Sequence, residues 1–120
     1  MTPRKKDLKE WGRFVKTIRS VNTPVKIAIV GKYFGAGDFV LEDSYISVIE
    51  AVKHAAYFMK RKPEIHWLNS EEFEKKPEHL RKLSDYQGII VPGGFGARGV
   101  EGKIRAIRYA RENKIPYLGL

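Results

Sequence analysis

Three short apolar runs recur along the chain: VKIAIVG (Val25–Gly31), EIHWLN (Glu64–Asn69) and GIIVP (Gly88–Pro92). A fourth, IPYLGL, occupies Ile115–Leu120. The first and third are β-branched and almost uncharged, the composition of strands covered on both faces of a parallel sheet. Helix-length amphipathic stretches separate the runs, and parallel strands need such crossovers. Before the first run, Leu8, Trp11, Val15 and Ile18 recur at spacings of three and four, opposite a charged face. Gly12 weakens that helix, and SVNTP (Ser20 and the residues to Pro24) breaks it.

The second helical stretch carries Tyr45, Ile49, Val52, Ala56 and Met59 on one face, with Asp43 or Ser44 as its cap and Pro63 as its stop. Ser70 is placed to cap a short acidic helix, and Pro77 opens a turn from which Leu80 and Leu83 face inward. The last helix shows Val100, Ile104, Ile107 and Ala110 as an apolar stripe. Lys103, Arg105, Arg108 and Arg111 cover the rest of it, Asn113 and Pro116 end it, and Trp11 and Trp67 read as core anchors. The order αβαβαβαβ predicts an open, doubly wound α/β fold with a mostly parallel sheet, flavodoxin-like in style. Its expected strand order is 2-1-3-4, with right-handed crossovers. A linker helix is expected over residues 1–22 and the α/β body over 23–120.

Composition narrows the function. With 120 residues, 42% hydrophobic and 31% charged, the chain fits one soluble domain or a piece of one. No apolar run approaches the roughly 20 residues of a membrane span, and MTPRKKDLKEWGRF has no secretory-signal pattern. A cytoplasmic location is expected. There is no cysteine, so as written the chain has no disulfide, thiolate metal site or cysteine nucleophile. His54, His66 and His79 show no metal-ligand spacing and read as ordinary solvated or packed histidines; no metal site is expected. The net charge of +9 is uneven: residues 1–32 hold nine Lys/Arg against two Asp/Glu. Such an arm could meet nucleic acid, but no stacking series or groove-reading motif accompanies it, so a solvated helix surface is the simpler reading. Lys32 and Tyr33 end the first strand, where open α/β sheets place ligands; they either line a site or simply end the strand.

Between the third run and the last helix stand Gly93, Gly94, Gly96 and Gly99. Such a loop can present backbone N–H groups to a negative group. Gly94, Gly96 and Gly99 satisfy the dinucleotide spacing G-x-G-x-x-G between a strand and a helix. Against that stand Glu101 in the first helical turn, where it would repel a pyrophosphate, and the lack of an acidic residue after the next strand. The loop also follows the third strand rather than the first. No Gly-Lys-Ser/Thr follows, so a P-loop is excluded. The alternatives are an oxyanion hole, in which neighbouring amides converge on one spot, and a ligand-free turn.

VKIAIVGKY, DSYISVIEAVKHA and IIVPGGFGARGVEGKIRAIRYARENKIPYLG, with the preceding LKEW, resemble CTP synthases at the start of their C-terminal class I glutamine amidotransferase domain. The segment FGAGDFVLE lengthens the loop after Tyr33 relative to many members. The resemblance implies glutamine hydrolysis by a Cys-His-Glu triad. Ammonia then passes to a separate synthase domain that converts UTP to CTP with ATP and magnesium, and GTP activates the glutaminase step. It assigns an oxyanion-hole N–H to Gly94, glutamine contacts to Gly93, Gly94 and Phe95, and the GTP response to Arg98 and Glu101, a pair that could equally just order the loop. Gly119 and Leu120 match the first two positions of the family's G-x-C-x-G turn. A fragment is therefore expected: inactive alone and without a cofactor of its own. Its expected partners are glutamine, the synthase domain and the C-terminal half of the glutaminase domain. The isolated fragment should self-associate, whereas the family's full enzymes are homotetramers.

Overall fold

The computed structural model describes residues 7–32, 45–94 and 96–120. Helix α1 (Lys9–Ser20) precedes β1 (Pro24–Gly31), α2 (Ile46–Phe58), β2 (Lys62–Asn69) and α3 (Ser70–Lys75). A 3₁₀ helix (Pro77–Asp85), β3 (Gly88–Val91), α4 (Val100–Glu112) and β4 (Tyr117–Gly119) follow. The four strands form one sheet in the order β2-β1-β3-β4. All pairings are parallel, with Ile27 opposite Ile65 and Gly88, and Ile90 opposite Leu118. This is the α/β fold and strand order expected from the alternation of apolar runs.

Chain direction across the sheet reverses at β1. Right-handed crossovers then put α2 on one face and α3 with α4 on the other. Alternation along the strands matches this. Ala28, Val30, Ile89 and Val91 pack with Phe73, Leu83, Ala106 and Ala110 into one buried cluster. Burial of a side chain such as Phe73 or Leu83 contributes roughly 1.5–3 kcal/mol. On the opposite face, Ile27, Ile90, Leu118 and Leu120 line, with α2, a cavity of about 670 Å³. Leu118 and Leu120 are exposed there, beside the edge strand β4.

Several local expectations need correction. Trp11 is no core anchor: it is 65% exposed, and no residue of α1 is buried. The contact of α1 with the body includes Phe14, edge-on to His54 of α2 at 6.5 Å. Trp67 is half-buried and lies 6.1 Å from the Tyr45 ring. Met59 is exposed beyond the end of α2, and Pro63 lies within β2 rather than at the helix end. Asp43 and Ser44 fall outside the described residues.

The cap of α3 is Asn69, not Ser70: its side-chain oxygen accepts from the Glu71 N–H at 3.0 Å. On α4, Val100 and Ile104 are exposed, and the buried face is Gly102, Ala106 and Ala110. Small residues won that face because α4 lies directly on α3. A Cβ built on Gly102 would overlap the Ser70 carbonyl oxygen and stand 2.6 Å from its carbon. The helix ends serve each other at this crossing. Glu74 accepts from the Gly102 N–H at 3.1 Å, and Arg105 donates to the carbonyls of Phe73 and Glu74 at 3.2 and 3.3 Å. Orphan groups at the start of α4 and the end of α3 are thereby satisfied.

Two outcomes follow. Gly102→Ala must push α3 and α4 apart, and urea denaturation should show a loss of about 1–3 kcal/mol. Gly12→Ala, on open helix surface with nothing within 4 Å of the new methyl, should leave stability unchanged or raise it slightly. Equal losses at both sites would contradict the contact. The second outcome concerns Glu72, which meets His79 and, at 3.1 Å, Lys82. The His79 hydrogen bond, then that from Lys82, holds its carboxyl below the usual carboxylate range. A depressed carboxylate stabilises the fold above its unfolded pKa, and that contribution is lost as pH falls through the lower folded value. Melting curves from pH 6 to 3 should therefore show a smaller acid-induced fall in Tm for Glu72→Gln than for the parent chain.

Candidate functional site: the glycine rim

β1 and β3 are neighbours in space, while the helices that follow them cover opposite faces. That is the switch point at which open α/β sheets bind ligands, outside the carboxyl ends of the strands. Two segments of this chain emerge there, Gly31–Lys32 and Pro92–Gly99. Gly93 and Gly94 are exposed. Among the described residues, neither N–H donates to a backbone or side-chain acceptor. Phe95, expected in the glutamine pocket, and Tyr33 lie outside the described residues, as does the Phe34–Glu42 loop.

The carbonyls of the rim, by contrast, are held. Lys103 donates from Nζ to the Pro92 oxygen at 2.7 Å. Tyr45, buried at the start of α2, donates from its hydroxyl to the Gly93 oxygen at a longer 3.4 Å. Lys32, only 6% exposed, reaches the Gly96 oxygen with its ammonium. Burial, and then the charge of Lys32, pull the Lys103 pKa below the ordinary lysine value. The two cations thus share a desolvated patch beside the loop.

The end of the loop is fixed by packing. Gly99 has φ +73°, and a Cβ there would stand 2.5 Å from the Ser70 hydroxyl. Ser70 is fully buried, and its hydroxyl has no hydrogen-bond partner among the described residues. Arg98 and Glu101 do not pair with each other. Arg98 is bonded through Nε to Glu71 of α3, whereas Glu101 meets Arg105 one turn along α4 at 3.3 Å. The carbonyls of Pro92 and Gly93 are held by groups on α4 and at the start of α2, in opposite layers. Each amide is therefore oriented separately.

Lys103 and Tyr45 were not singled out by sequence as loop anchors. Lys103 read as helix surface, and Tyr45 as one more residue of an apolar face. The one available signal was position: Lys103 sits in the first turns of the helix that leaves the glycine loop, within reach of a long flexible stem. Among the described residues, no group of three or more His, Cys, Asp or Glu could hold a metal ion. No helix among them is long and apolar enough to cross a membrane.

A parallel sheet in this order, with a glycine rim at its switch point, agrees with the comparison to known proteins. The family described as glutamine amidotransferase class-I matches residues 40–120, and the chain belongs to that family. Within it, the chain is similar to CTP synthases. That of Sulfolobus acidocaldarius is 48% identical over all 120 residues of this chain and 22% of its own length. That of Caldanaerobacter subterraneus subsp. tengcongensis is 53% identical over 115 residues, 95% of this chain and 20% of its own. The glutaminase domain of Trypanosoma brucei CTPS, solved with bound acivicin, superposes with a TM-score of 0.68 at 41% identity. That alignment covers 79% of this chain and 35% of that one. The chain thus spans about a fifth of the length of the curated relatives it matches.

Proposed function

We propose that these residues form the first part of the glutaminase domain of a CTP synthase, and that the glycine rim is its oxyanion site. In this reading a cysteine thiolate, supplied by sequence beyond these 120 residues, attacks the side-chain amide of glutamine. The carbonyl oxygen becomes negative in the tetrahedral intermediate, and the Gly94 N–H donates to it. Gly93, Gly94 and Phe95 contact glutamine. The released ammonia passes to a synthase domain that aminates UTP with ATP and magnesium, and GTP activates the first step through a region that includes Arg98 and Glu101. The setting is cytoplasmic, as for a soluble biosynthetic enzyme.

The observation that carries this reading is the polarity of the rim: carbonyls tied back, N–H groups of Gly93 and Gly94 left without an acceptor among the described residues. That is the arrangement an incoming oxyanion needs. The exposed apolar residues Leu118 and Leu120, over a cavity at the sheet edge, support a role for further segments as a cover. A dinucleotide site is less well supported. The Glu74 carboxylate already takes the Gly102 N–H in the first turn of α4, where a pyrophosphate would dock.

The test is Gly94→Pro, which deletes the N–H, in the full-length polypeptide that carries these residues. Glutamine-dependent kcat should fall about 10²–10³-fold, while CTP formation from free ammonia persists. Unchanged glutamine hydrolysis would overturn the assignment. The 120-residue chain alone, with no cysteine, should release no ammonia from glutamine above a heat-inactivated control.

A further inference from the structure

We propose that Tyr45 and Lys103 are positioning residues for the two amides of the rim: Tyr45 aims the Gly94 N–H that meets the oxyanion, and Lys103 aims the Gly93 N–H that contacts glutamine. Each holds one carbonyl of the rim and thereby aims the N–H of the same peptide unit. The proposal rests on the reading of the rim as an oxyanion site, and it deepens that reading.

The geometry is that of the peptide bond. The described backbone contains no cis peptide, so the carbonyl and N–H of each unit point in opposite directions across a rigid plane. The Pro92 carbonyl belongs to the same plane as the Gly93 N–H, and the Gly93 carbonyl to the same plane as the Gly94 N–H. Lys103 draws the first carbonyl toward α4 at 2.7 Å, so the Gly93 amide faces away from Lys103. Tyr45 holds the second at 3.4 Å, so the Gly94 amide faces away from Tyr45.

Two successive glycines need such tethers. Without Cβ atoms their peptide planes rotate at little steric cost. A flipped plane would offer a carbonyl oxygen, which repels an oxyanion, in place of a donor. The Lys103 bond is charge-assisted and therefore among the stronger ones available. Lys103 is also half-buried, with Lys32 nearby. Neither Lys103 nor Tyr45 need touch glutamine; both act through the backbone.

The experiment compares Lys103→Met, Lys103→Arg, Tyr45→Phe and Gly94→Pro in the full-length polypeptide, following ammonia release from glutamine. Lys103→Met keeps the stem and removes the donor. Its KM for glutamine should rise about tenfold, equivalent to about 1.4 kcal/mol, with kcat within about twofold, because a glutamine contact made equally before and in the transition state alters binding alone. Lys103→Arg restores a donor and should recover most of the loss. Tyr45→Phe should lower kcat by a smaller factor, in keeping with its longer bond. If Gly94→Pro abolishes hydrolysis while Lys103→Met retains the parent KM and Tyr45→Phe the parent kcat, the positioning role is overturned and the oxyanion reading stands. If Gly94→Pro also retains full kcat, the oxyanion reading falls and takes the positioning role with it. Should Lys103→Met fail to fold, Tyr45→Phe decides: unchanged kcat counts against the proposal, and reduced kcat at constant KM supports it.

Discussion

The backbone of α4 rests on the carbonyl of Ser70 through Gly102, with no room for a methyl group between them. That contact fixes where α4 begins relative to the sheet. From it follow the Glu74 cap on the Gly102 N–H and the Arg105 bridge to the end of α3. Lys103, the next residue along, is thereby brought beneath the loop it anchors. A Cβ at Gly99 would stand against the hydroxyl of the same serine, so Ser70 packs against both glycines at the start of α4. Ser70 is fully buried, and among the described residues its hydroxyl has no hydrogen-bond partner. Its place at this crossing shows how little space the two glycines leave.

The rim above this crossing combines two kinds of constraint. Packing sets the loop's entry and exit; charge and hydrogen bonding set the directions of its peptides. Lys32 and Lys103 lie close enough for one to depress the other's basicity. Side by side they would repel in a water-poor setting unless each had a strong acceptor. The Gly96 and Pro92 carbonyls serve as those acceptors. The backbone dipoles turn inward to meet the cations, and donors are left at the surface. For a class-I glutamine amidotransferase, where a carbonyl oxygen of glutamine gains charge in the transition state, that polarity is the useful one.

Much of the fold could be read directly from residue order. VKIAIVG, EIHWLN and GIIVP were strands because they are short, apolar and punctuated by helical periodicity, and the crossover rules left few topologies. The glycine loop and its place after the third strand were equally plain. Faces were harder. Val100 and Ile104 look like core by spacing, but the partner of α4 is another helix at backbone distance, which selects Gly102 and Ala106 instead. Trp11 looked like an anchor because nothing local says that the helix carrying it buries none of its residues. Ser70 and Asn69 are both good caps, and only the strand register decides between them. The anchoring roles of Lys103 and Tyr45 join residues far apart in the chain, and no local pattern encodes such pairs.

The central claim is that the Gly94 amide is held outward to receive negative charge. Hydrogen exchange at that one amide tests it most directly, in the full-length polypeptide with and without an aldehyde analogue of glutamine that would form a tetrahedral adduct on the proposed cysteine thiol. A hydrogen bond to a charged oxygen is worth about 1.5–3 kcal/mol, so exchange at Gly94 should slow by about tenfold or more while Gly96 is unaffected. Exchange at Gly94 that stays unchanged when the aldehyde is bound would contradict the account.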